Sequence, residues 1–254
     1  YNELAEVTSA RGVSLAQVIR LADGKVSLQV FAGSRGISTG DQVRFLGRQM
    51  QVSSSDALLG RVFTGRGAPR DGKPEHLIEY GKQSAQALGV DSIDLLYLHR
   101  HDPEVPYNES CEGIKALLDQ GVAQWAGVSN VSIEQLKIAQ EILGDKLVAV
   151  QNQYSPIHLE TQDTLEYCAK EGLAFVCWSP LGGYRHPYDE HLFDPFREVA
   201  AKHGVSYQRV VLAWELAKGD HMFVIPGAHR PETILDSLKA DELELTDEEL
   251  AFLG

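Results

Sequence analysis

Polar and aromatic side chains come directly after short apolar runs at five places beyond residue 75. In chain order these groups are His99-Arg100, Ser129-Asn130, Gln151-Asn152, Trp178-Ser179-Pro180-Leu181-Gly182 and Gly227-Ala228-His229-Arg230. Side-chain amides and hydroxyls beside an aromatic plane suit a flat heterocycle that carries a carboxamide. A glycine followed by His and Arg suits a phosphate group, because the backbone can approach closely and the cations add charge. The residue types therefore indicate a site for a ligand with these two features.

The apolar runs themselves have the length and the bounding turn residues of strands that are buried on both faces. They cover the ranges Ile93–His99, Trp125–Ser129, Leu147–Gln151, Ala174–Trp178 and Met222–Pro226. Segments with helical spacing lie before and between them, over residues 75–88, 108–120, 132–143, 161–171, 195–203 and 206–218. Strands that alternate with helices predict βαβ units around a parallel sheet. Because parallel strands end at the same edge, we expect the five polar groups to gather there.

The first 74 residues show a different pattern, of short strands and turns. Leu15–Leu21 and Val26–Phe31 flank Asp23-Gly24, which is a strong hairpin signal. Further strands are predicted over Val43–Leu46, Met50–Val52 and Leu58–Phe63. The first two of these are expected to pair, and the Gly- and Pro-rich stretch 64–74 has the composition of a linker. The sequence therefore predicts two domains, residues 1–74 and residues 75–254.

The charge balance changes near the same boundary. Residues 1–75 carry 10 Lys and Arg against 7 Asp and Glu, whereas residues 76–254 carry 13 against 29. This acidic balance argues against nucleic acid as a partner, and no apolar run is long enough to cross a membrane. Cys111, Cys168 and Cys177 show neither disulfide nor metal-ligand spacing. We therefore expect a cytoplasmic protein in a reducing compartment, with no metal site and no membrane segment.

Several motifs of the second domain together resemble the aldo-keto reductase family. Asp91–Pro103 resembles that family's fourth strand and its catalytic-histidine turn. The other motifs are Gly127-Val128-Ser129-Asn130 with Gln135-Leu136, Gln151-Asn152-Gln153-Tyr154-Ser155-Pro156, Trp178-Ser179-Pro180-Leu181-Gly182 and Ile225-Pro226-Gly227-Ala228. The resemblance covers about residues 75–254. It implies a TIM barrel that reduces the carbonyl group of a small-molecule aldehyde or ketone with NADPH.

The resemblance also implies a role for each group of polar residues. His99 would hydrogen-bond the substrate carbonyl and is the one catalytic residue it assigns. The nicotinamide ring and its carboxamide would be bound by Ser129, Asn130, Gln151 and Trp178. The pyrophosphate channel would be lined by Ser179 and Leu181. The adenosine phosphate would face Gly227, Ala228, His229 and Arg230, and the adenine would lie near Asp236 and Ser237.

The resemblance begins at the family's third helix, so three strands of the family's barrel have no counterpart here. Five parallel strands do not close a barrel that needs eight. The expected fold is therefore α/β, an incomplete TIM (β/α) barrel with about five parallel strands, preceded by a small antiparallel β-barrel-like segment. Its sheet would have open edges at Ile93–His99 and Met222–Pro226. N-terminal strands or a second copy of the chain, in a homo-oligomer, would cover these edges, or they would stay open.

The family's catalytic Asp, Tyr and Lys also lie on or after the strands that have no counterpart. Hydride transfer to a carbonyl leaves an alkoxide that must receive a proton. A well-placed acid accelerates such a step on the order of 100- to 10,000-fold. His99 could serve in part. Tyr97 shares a strand face with His99 but is expected to point deeper into the barrel.

Residues 1–74 resemble the N-terminal β-barrel and following linker of the V-type/A-type ATPase B subunit. The resemblance rests on Tyr1-Asn2-Glu3, on Gln29–Gly33 and above all on Leu59–Pro74. In that family the barrel is a structural part of the ATPase ring and carries no catalytic residue. The chain contains no G-x-x-x-x-G-K-[ST] loop, which argues against ATP hydrolysis.

Three alternatives to an NADP-dependent aldo-keto reductase follow from these observations. The second domain could bind the cofactor without catalysing a reaction, because the expected proton donor is missing. The first domain could be the functional part, a structural segment that binds the ATPase A subunit. The chain could also be an artificial chimera of two truncated genes without a function of its own. We take the oxidoreductase as the leading interpretation.

Overall fold

The structure is a computed structural model that describes residues 3–10, 12–22, 24–31, 33–49, 62–63, 69–183 and 189–254. The chain forms two compact units, Tyr1–Arg70 and Asp71–Gly254. The predicted strand Met50–Val52, most of the predicted strand Leu58–Phe63 and the linker residues 64–68 lie outside the described residues.

The first unit is built on a four-stranded antiparallel sheet in the order β3-β2-β1-β4. Its strands are β1 (Glu3–Ser9), β2 (Gly12–Ala22), β3 (Lys25–Val30) and β4 (Gln42–Gln49). The predicted hairpin is present as β2 and β3, and β4 is hydrogen-bonded to β1. Two short strands, β5 (Val62–Phe63) and β6 (Pro69–Arg70), form a separate antiparallel pair.

The second unit contains a sheet of five parallel strands in the order β7-β8-β9-β10-β11. The strands are β7 (Ile93–Leu98), β8 (Ala123–Ser129), β9 (Leu147–Gln153), β10 (Ala174–Trp178) and β11 (Met222–Ile225). Each strand therefore lies beside its neighbour in sequence, as in part of a (β/α) barrel. This confirms the predicted fold class, a partial α/β barrel preceded by a small antiparallel sheet.

Eight helices accompany these strands in the described part of the second unit. They are α1 (Pro74–Leu88), α2 (Tyr107–Asp119), α3 (Ile133–Leu143), α4 (Gln162–Glu171), α5 (Asp194–His203), α6 (Tyr207–Leu216), α7 (Pro231–Ser237) and α8 (Asp247–Leu253). The first six correspond to the predicted helical segments, and α7 and α8 were not predicted. Left-handed glycines end three of them, at Gly89, Gly172 and Gly204, where a residue without a Cβ adopts positive φ at little cost.

The helices cover one face of the parallel sheet. Val128, Val150 and Phe175 point into the core on this face and are fully buried. Side chains of the opposite face remain accessible, with Trp125 41 % exposed and Phe223 52 % exposed. In a closed barrel this second face would be the packed interior. The described residues thus leave one apolar surface of the sheet uncovered.

The start of the second unit is fixed against the loop that follows β7. The Gly72 N–H donates to Asp102 Oδ2 at 3.0 Å, and Ser110 Oγ donates to the Gly72 carbonyl at 2.7 Å. Glycine is needed at position 113 of α2, because a Cβ there would lie 2.9 Å from the backbone Cα of Pro74. These contacts pack α1 closely on α2 and hold the segment between β7 and α2, which begins with His99.

A carboxyl group lies inside the core between α6 and β10. Glu215 is fully buried, and no described group hydrogen-bonds either of its oxygens with good geometry. Its neighbour Cys177 donates its thiol hydrogen to the Tyr154 carbonyl at 2.8 Å. Burial raises the pKa of Glu215 well above its usual value, although Cys177 and the charge of Lys218 oppose this effect. The folded protein therefore favours the neutral acid at this position.

We predict that Glu215→Gln stabilises the second unit at neutral pH. A carboxyl whose pKa is higher in the folded state than in the unfolded state contributes its full stabilisation at a pH below the unfolded-state pKa. This stabilisation is lost as the pH rises through the folded-state pKa. The midpoint of thermal unfolding should therefore exceed that of the parent by an amount that grows from pH 5 towards pH 7. Tryptophan fluorescence reports this transition, because all three Trp residues lie beyond residue 75.

The matched control for this prediction is Glu198→Gln on α5. Glu198 pairs with Lys202 at 3.0 Å, but its side chain is 59 % exposed, so its removal should change the midpoint little. Equal midpoints for Glu215→Gln and the parent at every pH would show that the buried carboxyl carries no such penalty.

Candidate functional site

A cleft of about 590 Å³ opens at the carboxyl ends of four neighbouring strands, β7 to β10. We call it the strand-end cleft. Its lining residues are His99, Arg100, Ser129, Asn130, Gln151, Gln153, His158, Trp178, Ser179, Gly182 and Gly183. Six of these had been selected from the sequence, namely His99, Ser129, Asn130, Gln151, Trp178 and Ser179. Arg100 and Gly182 belong to the groups predicted at the strand ends, and Gln153 to the motif that begins at Gln151, but no binding role had been assigned to these three. His158 and Gly183 had not been selected, and Gln153 follows Gln151 at the two-residue spacing of one strand face.

Asn130 holds the strand ends together at one wall of the cleft. Its backbone has φ of 57°, the left-handed region that Asn tolerates better than most residues. Its N–H donates to the Gln151 carbonyl at 3.1 Å, and its side-chain amide donates to the His99 carbonyl and to Ser129 Oγ, both at 3.0 Å. The described residues form no hydrogen bond to Asn130 Oδ1. One residue therefore joins the ends of β7, β8 and β9 and keeps an acceptor available.

Ser129 and Asn152 complete this connection on the two faces of the sheet. Ser129 is 2 % exposed, and its hydroxyl donates to the Gln151 carbonyl at 2.6 Å. Asn152 is 1 % exposed and exchanges two hydrogen bonds with the Val131 backbone, at 3.1 Å and 2.8 Å. The Ser129 hydroxyl and the Asn152 amide are hydrogen-bonded within the protein, so their structural role is to hold the ends of β8 and β9 in place.

The floor of the cleft is formed by the end of β10 and the turn after it. Trp178 is partly exposed, and its Nε1 is buried without a hydrogen-bond partner among the described residues. Ser179, Gly182 and Gly183 all have positive φ, of 53°, 87° and 77°. A Cβ at Gly182 would lie 2.7 Å from the Ile157 side chain. Glycine is thus required where this backbone turns closely past its neighbours beside the cleft.

Two histidines follow β7, and the structure distinguishes them. Both ring nitrogens of His101 are hydrogen-bonded, since Nε2 donates to the Val105 carbonyl at 3.0 Å and Nδ1 accepts from the Gln135 side-chain amide at 3.1 Å. Its ring also packs against the edge of Tyr107. His99 is exposed at the cleft, and no described residue hydrogen-bonds its imidazole. His101 therefore has a structural role, and His99 is the imidazole that remains available to a ligand.

Tyr97 lies on the same strand face as His99 but deeper in the sheet, as its position in β7 predicts. Its ring rests on Gly127 of β8, where a Cβ would come within 2.3 Å of the Tyr97 ring. Burial raises the pKa of the Tyr97 hydroxyl, and a hydrogen bond with the Gln151 side chain partly offsets this shift. Tyr97 is not among the described residues that line the cleft.

The remaining residues selected from the sequence lie elsewhere. Leu181 packs against the hydrophobic core, and Gly227, Ala228, His229 and Arg230 form an exposed loop after β11. Asp236 and Ser237 lie on α7. Burial raises the pKa of Asp236, but hydrogen bonds from Ser206 and Arg209 outweigh it, so that this pKa is lowered overall. In this structure Asp236 links α7 to α6, and the roles that the resemblance implies for all these residues remain predictions.

The described residues contain no group of three His, Cys, Asp or Glu side chains that could hold a metal ion. Within the same ranges, no helix has both the length and the apolar character that crossing a bilayer requires.

Two family models match separate parts of the chain. The model of the aldo/keto reductase family matches residues 60–253, and that of the ATP synthase alpha/beta family, beta-barrel domain, matches residues 1–47. The V-type ATP synthase beta chain of Treponema denticola is 64 % identical over 74 residues, which are 29 % of this chain and 17 % of that protein. The chain therefore joins segments that are related to two different families.

The larger segment also has relatives of known sequence and structure. An uncharacterized oxidoreductase of Schizosaccharomyces pombe, C215.11c, is 30 % identical over 182 residues, which are 72 % of this chain and 58 % of that protein. The structure of the thermostable aldo-keto reductase Tm1743, solved with the inhibitor epalrestat, superposes with a TM-score of 0.66 at 30 % identity. That alignment covers 71 % of this chain and 66 % of the other. By its family model, its parallel sheet and these relatives, the chain belongs to the aldo/keto reductase family.

Proposed function

We propose that residues 71–254 bind NADPH in the strand-end cleft and transfer hydride to the carbonyl carbon of a small aldehyde or ketone. The observation that supports this most directly is the joining of three strand ends by Asn130, which leaves its Oδ1 at the cleft beside Gln151 and Trp178. Membership of the aldo/keto reductase family supports the same class of reaction. We propose a cytoplasmic location for this activity.

The residues present fit a dinucleotide with a carboxamide-bearing ring. Asn130 and Gln151 provide amide groups that can both accept and donate hydrogen bonds, as a carboxamide requires. Trp178 provides an aromatic surface in the same cleft, and the glycines of the turn 182–183 allow close approach of a large group. Bound NADPH would supply the hydride. Gly227, Ala228, His229 and Arg230 would hold its phosphate end, and Asp236 and Ser237 would lie near its adenine.

His99 would act on the substrate in this proposal. An imidazole N–H can donate a hydrogen bond to the carbonyl oxygen and stabilise the negative charge that develops there. No described Tyr or Lys lines the cleft with it. A missing proton donor would slow the reaction by the two to four orders of magnitude that general acids typically contribute. We therefore propose slow turnover, with His99 as the principal polar contact of the carbonyl.

Two other candidate functions rest on specific observations. The absence of a described Tyr or Lys from the cleft favours a cofactor-binding module that catalyses nothing. The 64 % identity of the N-terminal part to a V-type ATP synthase beta chain favours a structural role in which it binds an ATPase A subunit. Failure of the chain to co-purify with an A subunit would remove the second of these.

We predict that Asn130→Gly weakens NADPH binding without unfolding the protein. Glycine tolerates φ of 57°, so the backbone is retained while the amide that joins the strand ends is lost. Each lost hydrogen bond should raise the dissociation constant by about 2- to 12-fold. Isothermal titration calorimetry with NADPH measures this, and Asn108→Gly on the exposed side of α2 is the control. An unaltered affinity in Asn130→Gly would contradict the assigned site.

We also predict that His99→Gln separates binding from turnover. The variant should bind NADPH as the parent does, because His99 is assigned to the substrate rather than to the cofactor. Its rate of NADPH oxidation with a generic aldehyde should fall by about 100-fold or more. His101→Gln serves as comparison, since it would disturb the loop and lower thermal stability instead. Turnover in the parent that equals that of complete family members would show that another proton donor acts here.

A further inference from the structure

The strand-end cleft is lined by basic groups, although it lies in an acidic part of the chain. Residues 76–254 contain 13 Lys and Arg against 29 Asp and Glu. The described residues that line the cleft include Arg100 and two histidines, His99 and His158, but no Asp or Glu. Groups of one sign that line a cleft attract ligands of the opposite sign. The basic lining is therefore a local property of the cleft, and it favours an anion there.

Arg100 lies between two residues that are held in place by hydrogen bonds. The carbonyl of His99 accepts from the Asn130 side chain at 3.0 Å, and the His101 ring donates to the Val105 carbonyl at 3.0 Å. The Arg100 side chain itself is exposed at the cleft, and no described carboxylate forms an ion pair with it. The backbone at this position is thus fixed, while the guanidinium group stays available to a ligand.

His158 reaches the same cleft from the turn that follows β9. Ser155 and His158 exchange two backbone hydrogen bonds, at 3.1 Å and 3.0 Å, which close this turn. The Nδ1 atom of His158 lies 3.8 Å from the Glu160 carboxylate, whose side chain is 76 % exposed, so this pair is weak. No described group hydrogen-bonds the Nε2 atom of His158. Because β7 and β9 flank β8, the two basic side chains come from either side of one strand end.

We propose that the cleft selects carbonyl compounds that also carry a carboxylate, which Arg100 and His158 bind while His99 contacts the carbonyl oxygen. This inference rests on the function proposed above. A planar guanidinium group donates two parallel hydrogen bonds to a carboxylate, a geometry that an ammonium group does not offer. The carboxylate serves binding only. The hydride of NADPH adds to the carbonyl carbon and a proton from water adds to its oxygen, which yields the alcohol and NADP⁺.

The phosphates of the cofactor are the competing anions for these basic groups. The proposed function assigns the phosphate end of NADPH to the loop after β11, whereas Arg100 follows β7. These strands are the two edges of the five-stranded parallel sheet. Four strand spacings separate them, about 19 Å along the sheet. A dinucleotide whose nicotinamide lies at Asn130 and whose phosphates lie beyond β11 therefore extends away from Arg100, and this leaves Arg100 to the substrate.

The test compares reduction of 4-oxobutanoate with that of its methyl ester, which has the same aldehyde but no charge. In the parent, kcat/KM should be higher for the carboxylate. Arg100→Gln should lower that value by about 10- to 150-fold, the effect of hydrogen bonds to a charged group, and leave the ester unaffected. Arg100→Lys should recover only part of the loss, because an ammonium group lacks the paired donors.

A binding measurement separates recognition of the carboxylate from turnover. Calorimetric titration of 4-oxobutanoate in the presence of NADP⁺, which has no hydride to donate, should show the same loss of affinity in Arg100→Gln. Lys115→Gln is the matched control, because it removes one positive charge from α2, where Lys115 is 42 % exposed and paired with Asp119 at 2.6 Å. It should leave the preference for the carboxylate unaltered.

The possible results distinguish this inference from the proposed function. Equal kcat/KM for the two substrates in the parent, or an unaltered preference in Arg100→Gln, would overturn the inference, while reduction of both substrates upheld the proposed function. A rise in the dissociation constant of NADPH in Arg100→Gln as large as the loss of preference would assign Arg100 to the cofactor and also overturn the inference. A parent that oxidises NADPH with neither substrate would overturn the proposed function, and the inference with it.

Discussion

The hydrogen bonds between the ends of β7, β8 and β9 are the interaction on which the candidate site depends. In a closed barrel each strand is held by neighbours on both sides, and the ring of strands fixes the separation of their ends. The five described parallel strands, β7 to β11, form no such ring. Asn130, Ser129 and Asn152 instead fasten adjacent ends directly, with bonds of 2.6 to 3.1 Å. The cleft keeps its form because these short side chains join backbone to backbone.

The need to hold the strand ends together also explains why polar residues are buried at this edge of the parallel sheet. Ser129 and Asn152 are only 2 % and 1 % exposed, so their hydroxyl and amide groups would destabilise the fold if they lacked hydrogen-bond partners. Here each satisfies backbone groups that turns would otherwise leave unpaired. Glu215 in the interior of the unit is a contrasting case, because its oxygens have no well-formed hydrogen bond in the described structure. Its neutral form is the one compatible with that environment.

The sequence was informative where local pattern determines structure. Apolar runs predicted all five parallel strands, and glycines that adopt positive φ, such as Gly89 and Gly172, marked the ends of helices correctly. The pairing of β1 with β4 was not predicted, because it joins segments that are distant in sequence. The short helices α7 and α8 were missed because seven residues give too few turns to show a period.

For the candidate site, the periodicity of the strands predicted which side chains lie together at the cleft. It did not predict the path of the turns that follow the strand ends. His99, Ser129, Asn130, Gln151 and Trp178 all reach the cleft because parallel strands end together. Leu181 packs against the hydrophobic core in the turn that begins at Ser179, whose φ of 53° no spacing rule indicates. The contact of the Tyr97 ring with Gly127 is likewise visible only in the three-dimensional register of β7 and β8.

The linear order of the parallel sheet has a consequence for its local stability. β9 is hydrogen-bonded on both sides, by β8 and β10, whereas β7 and β11 each have one neighbouring strand among the described residues. Local opening in proteins begins where backbone bonds are fewest. Amide protons of β9 should therefore exchange with deuterated solvent most slowly, and those of β7 and β11 most quickly. Because the cleft spans β7 to β10, its two walls would differ in rigidity, with the wall that bears His99 the more mobile on the timescale of that exchange.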